Sequence, residues 1–438
     1  MLLKIKVKQL VWVVLFLLII LIFFMLRHLD AEAIVYKMTL GILITICLIR
    51  GLNEKIKLNP YLLFSLSPIS LLIYDESVSS HYLVNLSDNT YWLAILNMAA
   101  VLLGFIVIGG KKVKISENLL KKGEELGLST LKRHSIIFIV LGLLPTIIAG
   151  ITSIGAVVTL NLNNLKNSVN SIPLSSVLSL FIYPAIVCAL KTRKKLLIAI
   201  VLSLTAISIL FNFSKTTIAM ASITILVSLY TNQIEHHSKK RNIRLLFAGI
   251  VSAFLLYESF DIYNNIRHSY DIKAYFQGLG YVGNVSNALF LPYMYLISPW
   301  SNLQYICETT TQHMYGMWLI KPFLSYLQID NLFGIKYSMV PRFSAFNTFT
   351  FISAFYIDFG FWGSIICSFL FGMFLMSVYN LYKYHYNSPY VVSIWALNSY
   401  AIVMLFFNNH YLQLSYPITI ILLMWIWMLI MNKKKAKS

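Results

Sequence analysis

The sequence predicts an all-α polytopic integral membrane protein. It should have about twelve transmembrane helices, both termini cytoplasmic, and one long outer loop between helices 9 and 10. Three observations carry this. Of 438 residues, 58% are hydrophobic and only 12% are charged, with mean hydropathy +0.73; that is about half the charged share of soluble domains. Apolar runs of spanning length recur along the whole chain. Basic residues gather between alternate runs. A soluble domain cannot hide this much apolar surface under a polar exterior. Composition therefore excludes a secreted or cytosolic enzyme, a nucleic-acid binder and a disordered chain. The formal charge of +19 reads as membrane topology rather than as a site for a polyanion.

Taken in order, spans are expected near 9–26, 34–49, 59–74, 90–109, 135–154, 173–190, 196–212, 216–232, 245–261, 351–376, 390–407 and 414–431. The first is an unbroken apolar run, and no small-x-small cleavage site follows it, so it reads as a helix rather than a signal peptide. With the N-terminus inside, 26 of the 35 lysines and arginines fall in inner segments. They cluster at Lys4–Lys8, Arg50–Lys57, Lys111–Arg133, Lys191–Lys195, Lys239–Arg244 and the C-terminal tail. The acids run the other way, with eleven of sixteen at or near the outer side. No internal repeat relates the two halves, which speaks against a transporter built on inverted repeats. The whole chain, 1–438, reads as a single polytopic domain.

Residues 262–350 form the long outer loop, and loops of this length carry function more often than short ones. Within it, VSNALFLPYMYLISPW (285–300) is apolar and aromatic but interrupted by Pro292 and Pro299. It reads as an interfacial helix.

Several chemistries lack their signatures. There is no P-loop, HExxH or GxSxG. Cys47, Cys188 and Cys367 lie in apolar runs and Cys307 in a polar stretch, with no CxxC and no disulfide framework. Asp30-Ala-Glu32 sits in a very short loop and makes a poor metal site. No metal and no cofactor are expected.

Ionisable groups at the outer ends of spans are the candidates for function. Lys215 lies in the turn between spans seven and eight, and Glu258 and Asp261 at the end of span nine. Arg267 and His268 follow in NNIRHSYD, and Arg342 lies in VPRFSAFNTF. Asp358 lies in FYIDFGFWG and His410 in the short turn NNHYLQ. For each, the alternative is a snorkelling interfacial charge or a structural ion pair. Outer cations suit a lipid-linked pyrophosphate, because arginine binds phosphate through two parallel N–H groups and lysine offers a compact charge. Fixed cations would also stabilise the charge that develops on a pyrophosphate leaving group. A sugar hydroxyl acceptor needs a base, and Asp358, Glu258 or His268 could serve.

The stretch AFNTFTFISAFYIDFGFWGSIICSFLFGMFL (345–375) resembles the bacterial O-antigen polymerases, the oligosaccharide repeat-unit polymerase family. The matching positions are Asn347, Thr348, Thr350, Tyr356, Asp358, Phe359, Gly360, Gly363 and Gly372. Weaker echoes are Tyr295 to Asn302 around Pro299, the Ser214-Lys215 turn, where family members more often carry arginine, and the Arg267–Gly278 spacing. The resemblance implies an enzyme of the bacterial inner membrane, working on its outer face without a cofactor. It would transfer a growing glycan from undecaprenyl pyrophosphate to the non-reducing end of the next lipid-linked repeat, building O-antigen or capsule. On that reading Lys215, Arg267 and Arg342 hold the pyrophosphates. Asp358, Arg267 and His268 act at the reacting centre, and Asn302, Asn347, Tyr356 and His410 shape the acceptor side. Gly360 and Gly363 have a structural alternative, as small residues that let helices pack closely or bend. Expected partners are the undecaprenyl-pyrophosphate oligosaccharide, the lipid bilayer and a chain-length regulator, with no nucleic acid. An O-antigen ligase and a lipid-linked oligosaccharide flippase are the alternatives.

Overall fold

The computed structural model describes residues 32–54, 56–77, 85–109, 127–154, 162–172, 174–212, 215–236, 274, 277, 287–326, 329, 341 and 348–435. The described residues contain helices and connections and no strand. In chain order the helices are α1 (Glu32–Asn53), α2 (Pro60–Phe64), α3 (Leu66–Ser77), α4 (Asp88–Ile108), α5 (Leu128–Thr152), α6 (Leu162–Asn170), α7 (Ser175–Ser179) and α8 (Ile182–Thr192). They continue with α9 (Lys195–Asn212), α10 (Lys215–His236), α11 (Asn287–Thr309), α12 (Met317–Tyr326), α13 (Phe351–His385), α14 (Pro389–Val403), a 3-10 turn (His410–Leu412) and α15 (Ser415–Lys435).

Ten of the twelve expected spans fall on these helices; 9–26 and 245–261 lie outside the described residues. By length and composition, five stretches among the described residues could cross a membrane: Val35–Asn53, Asp88–Ile108, Leu128–Thr152, Ser175–Thr192 and Phe351–His385. The surface bears this out. Ile136, Val140, Leu144 and Ile147 on α5 are exposed at helical spacing, as are Trp362, Ile366, Leu370 and Phe374 on α13. Such stripes would be a liability in water and suit a lipid solvent. Two expected spans are less regular than their hydropathy suggests. Residues 59–74 divide into α2 and α3 at Ser65, and residues 173–190 divide into α7 and α8, with Leu174 at φ 60° before α7.

The described chain forms two compact units. One comprises residues 113–269, 381–400 and 413–438. There α5 and α8 come together where Gly142 meets Ile182, and a Cβ at 142 would lie 2.5 Å from the Ile182 side chain. Ser135 Oγ donates to the Ala185 carbonyl across the same contact, at 3.1 Å. Tyr382 stacks on Trp395, and its hydroxyl pairs with that of Thr231 at 2.8 Å. Lys191 Nζ donates to the carbonyls of Tyr386 (3.1 Å) and Asn387 (2.7 Å) just past the end of α13. A cation there complements the negative end of the helix.

The other unit comprises residues 1–112, 270–380 and 401–412. Its centre is α4, which is buried on nearly every side. Two glycines explain how α13 reaches it. A Cβ at Gly104 would lie 2.5 Å from the Phe369 carbonyl oxygen, and one at Gly372 would lie 2.3 Å from that of Val101. The two backbones therefore touch, which only glycine permits. Two turns along, Asn97 locks the register. Its Nδ2 donates to Ser364 Oγ (3.1 Å), and its Oδ1 accepts from Ser368 Oγ (2.5 Å). Asn380 Nδ2 then donates to the terminal carbonyl of Ile108, at 3.0 Å.

Inside the expected outer loop, α11 runs through both of its prolines and extends beyond 285–300 to Thr309. Phe290, Met294, Ile297, Trp300, Leu303 and Ile306 are buried at helical spacing, so this face packs on protein. Trp300 Nε1 donates to Ser70 Oγ (3.1 Å), and Gln304 Oε1 accepts from the Ser87 amide (2.9 Å).

Replacing Gly372 with leucine should force α4 and α13 apart. The expected cost is about 1–3 kcal/mol, read as a lower melting temperature of the detergent-purified protein. An unchanged melting temperature would show that the close crossing is not required.

Candidate functional site

The site is built on an interruption of α13. Gly360 has φ 68° and ψ −164°, far from helical values. In an unbroken helix the carbonyls of Ile357 and Asp358 would accept from the amides of residues 361 and 362. Here they accept from outside: Met314 N–H donates to Ile357 (3.0 Å) and Tyr315 N–H to Asp358 (2.8 Å). Gly360 is needed twice over. Its φ disfavours any side chain, and a Cβ there would lie 2.7 Å from His313 Nε2. His313 fills that space with its ring edge-on to Tyr356, centroids 5.7 Å apart. Its Nδ1 is buried, with no hydrogen-bond partner among the described residues.

The Asp358 side chain completes the junction. Oδ1 accepts from the Trp318 amide and Oδ2 from the Leu319 amide, both at 2.9 Å. These are orphan donors of the first turn of α12. The residue just before that helix is Gly316, with φ 92°, and it has no side chain with which to cap it. Asp358 caps α12 from another helix, and its charge faces the positive end of the helix dipole. The carboxylate is fully buried, and both of its oxygens are engaged.

Capping α12 places its next turn at a cavity of about 220 Å³. Trp318, Lys321 and Pro322 line one wall. Phe349, Thr350 and Ala354 form the second, with Phe349 and Thr350 just before α13 and Ala354 one turn ahead of Asp358 on it. Asn408, Asn409 and Leu412 form the third. The Lys321 ammonium sits 4.5 Å from the centroid of the Trp318 ring, a cation–π contact between neighbours one helical turn apart. Among the described residues that line the cavity, Lys321 carries the one formal charge. The third wall is held from behind. Tyr411 packs edge-on against Phe371 and Phe374, and the Leu405 carbonyl accepts from the Phe351 amide at 3.0 Å.

The structure gathers four of the residues expected from sequence in this unit and gives them unequal roles. Asp358 holds α12 rather than opening onto the cavity. Asn302 is fully buried, and its Nδ2 donates to the Thr348 carbonyl (2.7 Å), which fixes the chain just before Phe349 and Thr350. Tyr356 packs on His313. His410 is buried in the 3-10 turn beside Asn409. Lys215 is the first residue of α10 and belongs to the other unit. Arg267, His268, Arg342 and Asn347 lie outside the described residues. Sequence alone passes over Lys321, Trp318, Asn408 and Asn409. The available signal was a lone lysine between aromatics in MWLIKPF, and the paired asparagines that precede His410.

The described side chains include no cluster of three or more His, Cys, Asp or Glu able to hold a metal ion. The sequence matches no family model, and no curated protein or solved structure is detectably similar to it. By its helices the chain belongs with helical membrane proteins.

Exchanging Asp358 for asparagine should turn an amide N–H₂ toward a main-chain N–H of α12 and leave a buried donor without an acceptor. The expected loss is about 1–3 kcal/mol, together with faster proteolytic cleavage within 310–326. A D358N protein with wild-type melting and wild-type cleavage would show that the cap does not hold α12.

Proposed function

We propose that the chain polymerises lipid-linked oligosaccharide repeat units on the outer face of the bacterial inner membrane. It would move the growing glycan from undecaprenyl pyrophosphate to the non-reducing end of the next lipid-linked repeat. The observation that supports this most is the behaviour of the Asp358-Phe359-Gly360-x-x-Gly363 segment, on which the family resemblance rests. It forms the break in α13 that seats α12 and brings Lys321 and Trp318 to a cavity. A cavity walled by two aromatics, two asparagine amides and a lysine suits a sugar on the acceptor side. An all-helical scaffold with apolar outer stripes suits a substrate that arrives through the bilayer.

In this reading an acceptor hydroxyl attacks the anomeric carbon of the growing chain as its bond to pyrophosphate breaks. Lys215, Arg267 and Arg342 stabilise the departing pyrophosphate. Asp358 serves as a positioning residue, because both its oxygens are committed to α12. The proton of the acceptor hydroxyl then falls to His268 or Glu258. The protein's own contribution is positioning and electrostatics, and no cofactor takes part.

Deleting the gene in its host and resolving the surface polysaccharide on a glycan-stained gel tests the assignment. The ladder should collapse to core plus a single repeat, because flipping and ligation continue. Loss of every repeat from the core would overturn it. Free lipid-linked polymer on the outer face would then identify a ligase, and lipid-linked single repeats trapped inside would identify a flippase.

A further inference from the structure

We infer that α13 is a helical hairpin whose first arm, residues 351–359, dips into the membrane and turns back. The cavity at the deep end of that arm is then a hydrated site for a polar head group, sunk below the outer surface. Distances require the fold-back. A straight helix would hold Phe351 and Phe371 roughly 30 Å apart, and Phe355 and Phe371 roughly 24 Å apart. Their ring centroids are 6.3 Å and 5.8 Å apart. The chain therefore reverses at Gly360, where φ is 68°, and the two arms lie side by side. The first arm is only about 13 Å long, whereas residues 361–385 extend about 37 Å, enough to span a bilayer alone.

The depth follows from α4. Phe371 lies beside the crossing of the two helices, where Gly372 meets Val101 and Phe369 meets Gly104. Val101 is roughly 20 Å along α4 from Asp88, well inside a hydrocarbon core of about 30 Å. Phe351 packs on Phe371 there, and also on Phe64, which meets Phe105 further along α4. The other end of the arm is shallow, because the Cys307 thiol hydrogen-bonds with both Tyr356 and Thr90, in the first turn of α4. By the charge pattern of the sequence, Asp88 marks the outer end of that helix.

Two non-helical stretches meet at the deep end. Residues 348–350 lead into the arm, residues 404–409 follow α14, and the Phe351 amide donates to the Leu405 carbonyl at 3.0 Å. At such depth, backbone outside a helix persists only where it is buried in protein or lines water. Here it lines the cavity, since Phe349, Thr350, Asn408 and Asn409 all stand in the wall. The Asn408 side chain is half-buried and makes no hydrogen bond to a described residue. A dry amide is costly at this depth, so water or the hydroxyls of a ligand meet it. Breaks in helices near mid-membrane are where polar ligands are held in other helical membrane proteins. This holds for any lipid-borne substrate with a polar head and does not depend on the glycan reading.

The test uses the full chain in its membrane, with its four cysteines replaced by serine. The pairs F351C/F371C and F355C/F371C should each be joined by a short bifunctional thiol reagent that cannot bridge the gap in a straight helix. Single F349C and N408C proteins should react with a membrane-impermeant anionic methanethiosulfonate added to right-side-out vesicles. L370C is the control, because Leu370 precedes Phe371 on the exposed apolar stripe. F349C and N408C should react about tenfold faster than L370C, since the thiolate is the reacting form and needs water.

Failure of both pairs to join in normally inserted protein would overturn the hairpin. Reaction of F349C and N408C no faster than L370C, or only in inside-out vesicles, would overturn the outward-opening hydrated site. Fast reaction of all three would overturn the depth. The single-cysteine proteins keep the aromatic contacts between the arms, so the labelling decides even where a paired variant fails to insert.

Discussion

The carboxylate of Asp358 on the first turn of α12 is the interaction on which the rest of the site depends. A ten-residue helix interrupted by Pro322 has little stability of its own, because short helices are marginal without packing. Its N-terminal neighbour, Gly316, brings no cap. The charge that fixes it comes from α13, some forty residues later, and reaches it only because Gly360 opens that helix. Remove the opening, and the carbonyls of Ile357 and Asp358 return to their own helix. The loop carrying Met314, Tyr315 and His313 then has nothing to dock on. Trp318 and Lys321 are held at the cavity by this chain of dependence.

Below the opening, α13 is fixed differently. Gly104 and Gly372 bring two backbones into contact, and Asn97 with Ser364 and Ser368 supplies the polar lock. In lipid there is no hydrophobic force to drive helices together, so close packing and buried hydrogen bonds decide where they cross. The same helix thus serves two purposes. Its later part is anchored to α4, and its first part is released to hold another element.

Much of this was legible in the sequence, and the limits are instructive. Hydropathy found α1, α4, α5 and α13 because each is one long apolar run. It did not find the break at Ser65 or the turn at Leu174, since such breaks leave hydropathy unchanged. Asp358 and Gly360 stood out by type and spacing, yet a charge among aromatics reads as chemistry until its partners are seen. Those partners are main-chain amides, which have no letter of their own. Asn302 and Gly372 follow the same pattern: both stand out in the sequence, and in the structure both meet main chain, Asn302 at the Thr348 carbonyl and Gly372 at Val101. Lys321 was missed for the opposite reason. Its segment has no long apolar period, and its setting is made by residues 349–354 and 408–412, which are distant in the chain.

The distance between the opening at Gly360 and the crossing at Gly372 carries a further consequence. Each added residue turns a helix by about 100°. One residue inserted or deleted between them would swing the cavity wall to a different face while the crossing with α4 stayed in place. The spacing is therefore a ruler rather than a spacer. Exposed apolar side chains along it, such as Ile366 and Leu370, are free to drift among apolar types, but their number is not.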